Sequence, residues 1–142
     1  MGIAEIVQER LNGKIISWQM PNSRRYYLTV KKEDIVTVAR VLFEDLSLRF
    51  CIASGVDTPE GIEILYHFSD DKSGIIFSVR TLIEDKNSPE IDSLVQLFSA
   101  AEWIEREMWE MLGINFRGHP NLKRLLLAED WPEGEHPLRQ KK

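Results

Sequence analysis

The chain has a single cysteine, Cys51, in 142 residues. An intrachain disulfide is therefore excluded, and neither a cysteine-ligated iron–sulfur cluster nor a Cys-type structural zinc site can be built from this chain alone. Cys51 lies in the apolar run Phe50-Cys51-Ile52-Ala53 and is expected to be a small buried hydrophobe. Positive charge is outnumbered, 18 lysines and arginines against 23 acids. The formal net charge is −5, and lysine and arginine are scattered, with short clusters only at Arg24-Arg25, Lys31-Lys32, Lys123-Arg124 and Lys141-Lys142. The clustered basic surface that a phosphate backbone demands is missing, so no nucleic-acid partner is expected. No apolar run approaches the ~20 residues that cross a bilayer. The opening MGIAEIVQERLNGK mixes acids, bases and apolar residues, unlike a signal peptide. A cytoplasmic location follows as the expectation, with the membrane reached only indirectly, through a partner. Nucleotide-binding glycine fingerprints, Walker-type loops and nucleophile elbows are absent. His67, His119 and His136 are far apart and form no His-x-x-x-His pair, so no metal site is expected.

What is present reads as an ordinary globular domain, 43% apolar and 29% charged. Ile3, Ile6, Val7 and Leu11 recur at helical spacing, and Asn12-Gly13 closes that helix. Strand-like runs follow at Lys14 to Met20 and Arg25 to Val30, with Pro21-Asn22-Ser23 between them as the turn. Ile35, Val38, Ala39, Leu42, Phe43 and Leu46 give a second amphipathic helix. Arg49 to Val56, Ile62 to Phe68 and Ile75 to Leu82 are three further strands, joined by loops too short for a parallel crossover. The order predicts an α+β fold: a two-layer domain of helix, two strands, helix and three strands with a mainly antiparallel sheet, then a C-terminal helix and an extended tail. Residues 1–90 form the two-layer part. Residues 91–142 add the helix and tail, the two parts making one globular unit. Ile91 to Leu112 looks helical, most clearly from Ala100. The tail beyond it is punctuated by proline and glycine yet carries Leu125-Leu126-Leu127 and Trp131. A tail both irregular and apolar has to lie against its own domain or against another protein.

The stretch EREMWEMLGINFRGHP, Glu105 to Pro120, concentrates the chemistry. At about 100° per residue, Ile104, Met108, Met111 and Leu112 form the core stripe, with Trp103, Arg106, Glu107 and Glu110 opposite. Gly113 is placed to end the helix as a C′ glycine, with Ile114 supplying the accompanying apolar contact. Three uses of the charged face compete. Glu107 and Glu110, with His119, could serve as an acid–base set in a small enzyme. A plain solvated face is the usual fate of helix charges. Trp103 and Trp109, both off the core stripe and set among acids and an arginine, favour a docking surface instead.

Spacing in this block resembles one family closely. Glu105-Arg106-Glu107, then Glu110-Met111-Leu112, then His119, Lys123 and Leu125-Leu126 carry the likeness. Ile91-Asp92-Ser93 and Ala100-Ala101-Glu102-Trp103 precede them, and Gly113-Ile114, Phe116, Gly118-His119-Pro120, Asp130-Trp131 and His136-Pro137-Leu138-Arg139 extend it. It is similar to the 30-kilodalton subunit of NADH:quinone oxidoreductase, respiratory complex I, a family that includes the matching small subunit of energy-converting [NiFe]-hydrogenases. The resemblance implies a non-catalytic structural subunit of the complex's peripheral arm, on the cytoplasmic face of the membrane. It implies no flavin, cluster or metal of its own, and packing against the hydrogenase-like large subunit beside iron–sulfur subunits. Carried over residue by residue, Trp103, Glu105, Arg106, Glu107, Trp109 and Glu110 would form the docking face. His119-Pro120 would turn the chain, and Lys123, Leu125, Leu126, Trp131, His136 and Arg139 would continue the contact. On that reading, Arg106→Glu would leave the isolated domain folded and block assembly. Family members commonly have prolines near the positions of Gln96 and Ser99, which leaves Ile91 to Ala100 free to extend the helix or to pack differently.

Overall fold

The computed structural model describes residues 2–123 and 136–139. Helix α1 (Ile3–Arg10) is followed by β1 (Ile15–Asn22) and β2 (Arg25–Val30). A 3-10 turn (Lys32–Asp34) leads into α2 (Ile35–Arg40), which continues as a π-helical turn over Val41–Asp45. Strands β3 (Arg49–Thr58), β4 (Gly61–Asp70) and β5 (Ile75–Ile83) form a meander. Then come β6 (Glu90–Asp92), α3 (Ala101–Leu112) and β7 (Asn115–Arg117).

The main sheet has the order β1-β2-β5-β4-β3. Only the β2–β5 pairing is parallel, and its connection runs through α2, β3 and β4, long enough for the crossover that parallel strands need. The two-residue-period pattern fixes which face is buried. Ile62, Ile64, Tyr66 and Phe68 of β4 point inward and are buried, while Glu63, Leu65 and His67 between them lie on the other face, where the His67 ring meets Ser78 Oγ at 2.7 Å. Val7 of α1, Leu11 just past its end, and Ile35, Val38, Ala39 and Leu42 around α2 join these residues in one core. Phe50 stacks on Phe98 with centroids 4.3 Å apart, and Phe68 meets Phe98 edge-on. Among the described residues no helix is long and apolar enough to cross a membrane.

Three local expectations are corrected. The turn between β1 and β2 is shorter than Pro21-Asn22-Ser23: Asn22 pairs with Arg25, and Arg24 N donates to Asn22 Oδ1 at 2.9 Å. Pro21 is tolerated inside β1 because that strand is at the sheet edge, where a missing N–H breaks no ladder bond. Cys51 is half-buried, because the irregularity between Phe50 and Ile52 turns it aside from the core. Ile91 to Ala100 does not extend the helix. Glu90–Asp92 is captured as a strand, parallel to Asn115–Arg117, and α3 is the crossover between them.

Candidate functional site

Helix α3 organises the site. Its apolar side packs on the core face of β3, closely enough that a Cβ on Gly55 would come 2.7 Å from Leu112 Cδ1. Gly113 ends the helix in the left-handed conformation at φ +79, as its spacing predicts, with Ile114 buried beyond it.

The charged side of α3 is not the open surface expected. Glu105, Arg106 and Glu110 are only 1%, 6% and 3% exposed within this chain. Helical periodicity sends Arg106 and Glu110 outward, where other segments fold back over them, whereas Glu105 lies beside the apolar stripe of Ala101, Met108 and Leu112 and is capped by Ser93-Leu94. Ile104, expected in the core stripe, and Trp109, expected off it, are both half-buried and pack against the core, and Met111 is half-buried. Glu107 and Trp103 remain exposed, Trp103 at 59%.

Two of these buried charges brace neighbouring segments. Glu105 Oε1 accepts from Ser93 Oγ at 2.5 Å and Oε2 from Leu94 N at 2.8 Å, holding the turn between β6 and α3. Burial pushes its carboxyl up to about 7, although both hydrogen bonds favour the charged form. Tyr66 is buried nearby, and its hydroxyl finds no hydrogen-bond partner among the described residues. Its pKa is held well above the usual phenol value by burial and by the Glu105 charge. Arg106 Nε donates to the Lys123 carbonyl at 3.3 Å, and its guanidinium lies 5.1 Å from the centroid of the Trp103 ring, in cation–π geometry. Arg106→Glu would place a carboxylate in this buried spot, where it is expected to destabilise the isolated domain.

His119 has both ring nitrogens engaged. Nδ1 accepts from Asn121 N at 2.9 Å, which puts the proton on Nε2, and Nε2 donates to the Glu102 carbonyl at 3.0 Å. Pro120 follows, exposed, in the turn, and Lys123 is exposed. Leu125, Leu126 and Trp131 lie outside the described residues.

Segment His136–Arg139 closes the C-terminal end of α3. A helix leaves its last carbonyls without intrahelical donors. Here the Trp109 carbonyl accepts from Gly113 N at 2.9 Å, Glu110 from His136 Nδ1 at 2.8 Å, Met111 from Leu138 N at 2.9 Å and Leu112 from Arg139 Nη1 at 3.1 Å. Arg139 also donates through Nη2 to the Lys86 carbonyl at 2.8 Å and lies 3.3 Å from Asp57 Oδ2. Asp57, whose side chain is 1% exposed, takes Lys86 Nζ at 2.5 Å on its other oxygen. Sequence reasoning missed Asp57 and Lys86, treating Asp57 as the start of a turn. A signal was available: Asp57 shares the alternation of Ala53 and Gly55, the inward phase of β3.

These residues do not assemble an acid–base site. His119 has no ring nitrogen left for proton transfer, Glu110 is buried, and Glu107 faces outward. The arrangement instead makes α3 a rigid mount, clamped at its front by Ser93-Leu94 and at its end by His136–Arg139.

Comparison with known proteins agrees with the sequence resemblance. The family model described as respiratory-chain NADH dehydrogenase, 30 Kd subunit, matches residues 28–142. The C subunit of the NADH-quinone oxidoreductase of Rhodobacter capsulatus is 38% identical over 144 aligned residues, covering 96% of this chain and 69% of that protein. The C subunit of the F(420)H(2) dehydrogenase of Methanosarcina mazei is 39% identical over 99 residues, covering 66% of this chain and 61% of that protein. A solved chain from the membrane-bound sulfane sulfur reductase, an archaeal respiratory membrane complex, superposes with a TM-score of 0.81 at 26% identity, over 96% of this chain and 82% of that one. The chain spans between 46% and 71% of the length of the first curated relatives it matches.

Proposed function

The chain belongs to the family of the 30-kilodalton subunit of respiratory-chain NADH dehydrogenase, and from that premise we propose that it is a non-catalytic structural subunit of the peripheral arm of a membrane-associated oxidoreductase of the complex I or energy-converting hydrogenase type. It docks on the hydrogenase-like large subunit, beside iron–sulfur subunits, at the cytoplasmic face of the membrane. Its part is to brace the large subunit and fix the geometry of the electron-transfer arm.

The observation that carries this reading is the construction of α3. The side chains that match the family block, Glu105, Arg106, His119, His136 and Arg139, bind backbone groups of neighbouring segments, leaving Trp103 and Glu107 displayed on a stiffened helix. Preorganised aromatic and charged groups on a rigid element are what an interface needs, because little ordering entropy remains to be lost on binding. Of the docking residues inferred from sequence, Trp103, Glu107 and Lys123 meet the partner directly. Glu105, Arg106 and Glu110 act by positioning them.

Mild-detergent affinity purification from the native cell, with mass spectrometry of the co-purifying proteins, tests the reading. Recovery of a hydrogenase-like large subunit with iron–sulfur proteins is the expected result. A chain recovered alone refutes it.

A further inference from the structure

One edge of the main sheet is open among the described residues. β3 pairs with β4 on one side, and no described strand pairs with its other side. An edge strand presents unpaired N–H and C=O groups, and natural proteins usually blunt it with charges, proline or brevity. β3 is ten residues long. Its stretch from Cys51 to Val56 has neither charge nor proline, and Ile52 and Val56 are 53% and 52% exposed. Beside it, α3 and the tail complete a groove of about 290 Å³ walled by Ile52, Ile104, Met111 and Leu138. Glu107 is the one charged residue lining the groove, and among the described residues it enters no ion pair.

We propose that this groove seats an extended segment of the partner subunit, apolar at alternate positions and carrying a lysine or arginine opposite Glu107, which adds to β3 as a further strand. Once water is displaced, an extended backbone is the partner that satisfies the whole row of groups along a strand edge, and alternate side chains of such a segment would reach the groove wall. Met111, an unbranched thioether, adapts to their shape. The cation is required by Glu107, whose carboxylate would otherwise lose water on docking without compensation. A second copy of this chain fits worse. Its own β3 offers no cation between Cys51 and Val56, and the nearest, Arg49, is paired with Asp71 at 3.0 Å.

The proposal rests on the subunit reading above, and the experiment separates the two. A photoreactive phenylalanine analogue is placed at Val56, and a control at Lys72 in the exposed β4–β5 turn, in the full chain expressed in its native cell. The detergent-purified complex is then irradiated. The expected result is one cross-linked partner peptide at position 56, containing a lysine or arginine, and none of that peptide at position 72. In parallel, Glu107→Lys lowers recovery of the complex about tenfold, the effect of roughly 1.4 kcal/mol, while the isolated variant melts as the parent does. Reversing the cation of the captured peptide to glutamate restores recovery. A cross-link to a second copy overturns the proposal. So does a chain that co-purifies with its partners but captures no partner peptide at position 56, and that outcome leaves the subunit reading standing. A chain that co-purifies with nothing removes both.

Discussion

Glu105 gives the sharpest quantitative test. Its carboxyl is raised from 4.5 to about 7 by burial against Tyr66 and the β6–α3 turn. An acid whose folded pKa lies above its unfolded value holds its proton more tightly in the native state. Its favourable contribution is complete below about pH 4.5, declines as pH rises, and is gone above about pH 7. A shift of this size corresponds to roughly 3 kcal/mol between the two ends of that window. Glu105→Gln keeps the shape and retains an acceptor for the Leu94 amide but cannot ionise. Urea unfolding of the full chain and of the variant at several pH values between 4.5 and 8 isolates the effect, because all other titrating groups cancel in the difference. The parent is expected to lose roughly 3 kcal/mol relative to the variant across the window. A carboxyl carbon NMR titration of Glu105 should show a midpoint near 7. Parallel stability curves, with a midpoint in the ordinary carboxylate range, would refute the claim that burial outweighs the Ser93 and Leu94 hydrogen bonds.

Arg106→Glu should destabilise the isolated chain by roughly 3–5 kcal/mol, the usual cost of an uncompensated buried charge; an unchanged urea midpoint would show that Arg106 is not enclosed as described. Gly113→Ala forces an L-residue into φ +79 and brings its Cβ to 2.7 Å from His136 Cδ2, so about 1–2 kcal/mol of strain is expected with faster amide exchange at Leu138. Parental protection at Leu138 would contradict it. Arg139→Ala removes donors to the Leu112 and Lys86 carbonyls and a cation from Asp57; with the side chain partly exposed, a loss of roughly 1–3 kcal/mol in chemical denaturation is expected, and no loss would mean the tail end is not held there.

The sheet was legible because its signals are local. Alternating apolar positions with short polar turns marked β2 through β5, and the expected Arg25 to Val30 matches β2 end to end. Gly113 was readable because a positive φ at a helix end selects glycine. The helix itself was readable from Ala100, one residue before α3 begins, but the stretch leading into it was not. Leu94, Val95, Leu97 and Phe98 have helical spacing, but the Leu94 amide is taken by Glu105 and Glu90–Asp92 is claimed by β7, both tertiary contacts. The burial of Arg106 and Glu110 was hidden for the same reason. Amphipathicity sends charges outward unless a distant segment covers them, and Arg139 reaches Asp57 across 82 positions of sequence.

The end of the chain can also be viewed as a ligand on a tether. His136–Arg139 occupies the terminal carbonyls of α3 by intramolecular binding, for which effective concentrations are of the order of millimolar. A competitor for those carbonyls must overcome that advantage. A partner that instead grips the released segment would strip the last turn of α3 of its acceptor pairing, so letting go of the tail and loosening the helix end become one thermodynamic event. Occupancy of this cap therefore reports, from inside the protein, whether anything has taken hold of its tail.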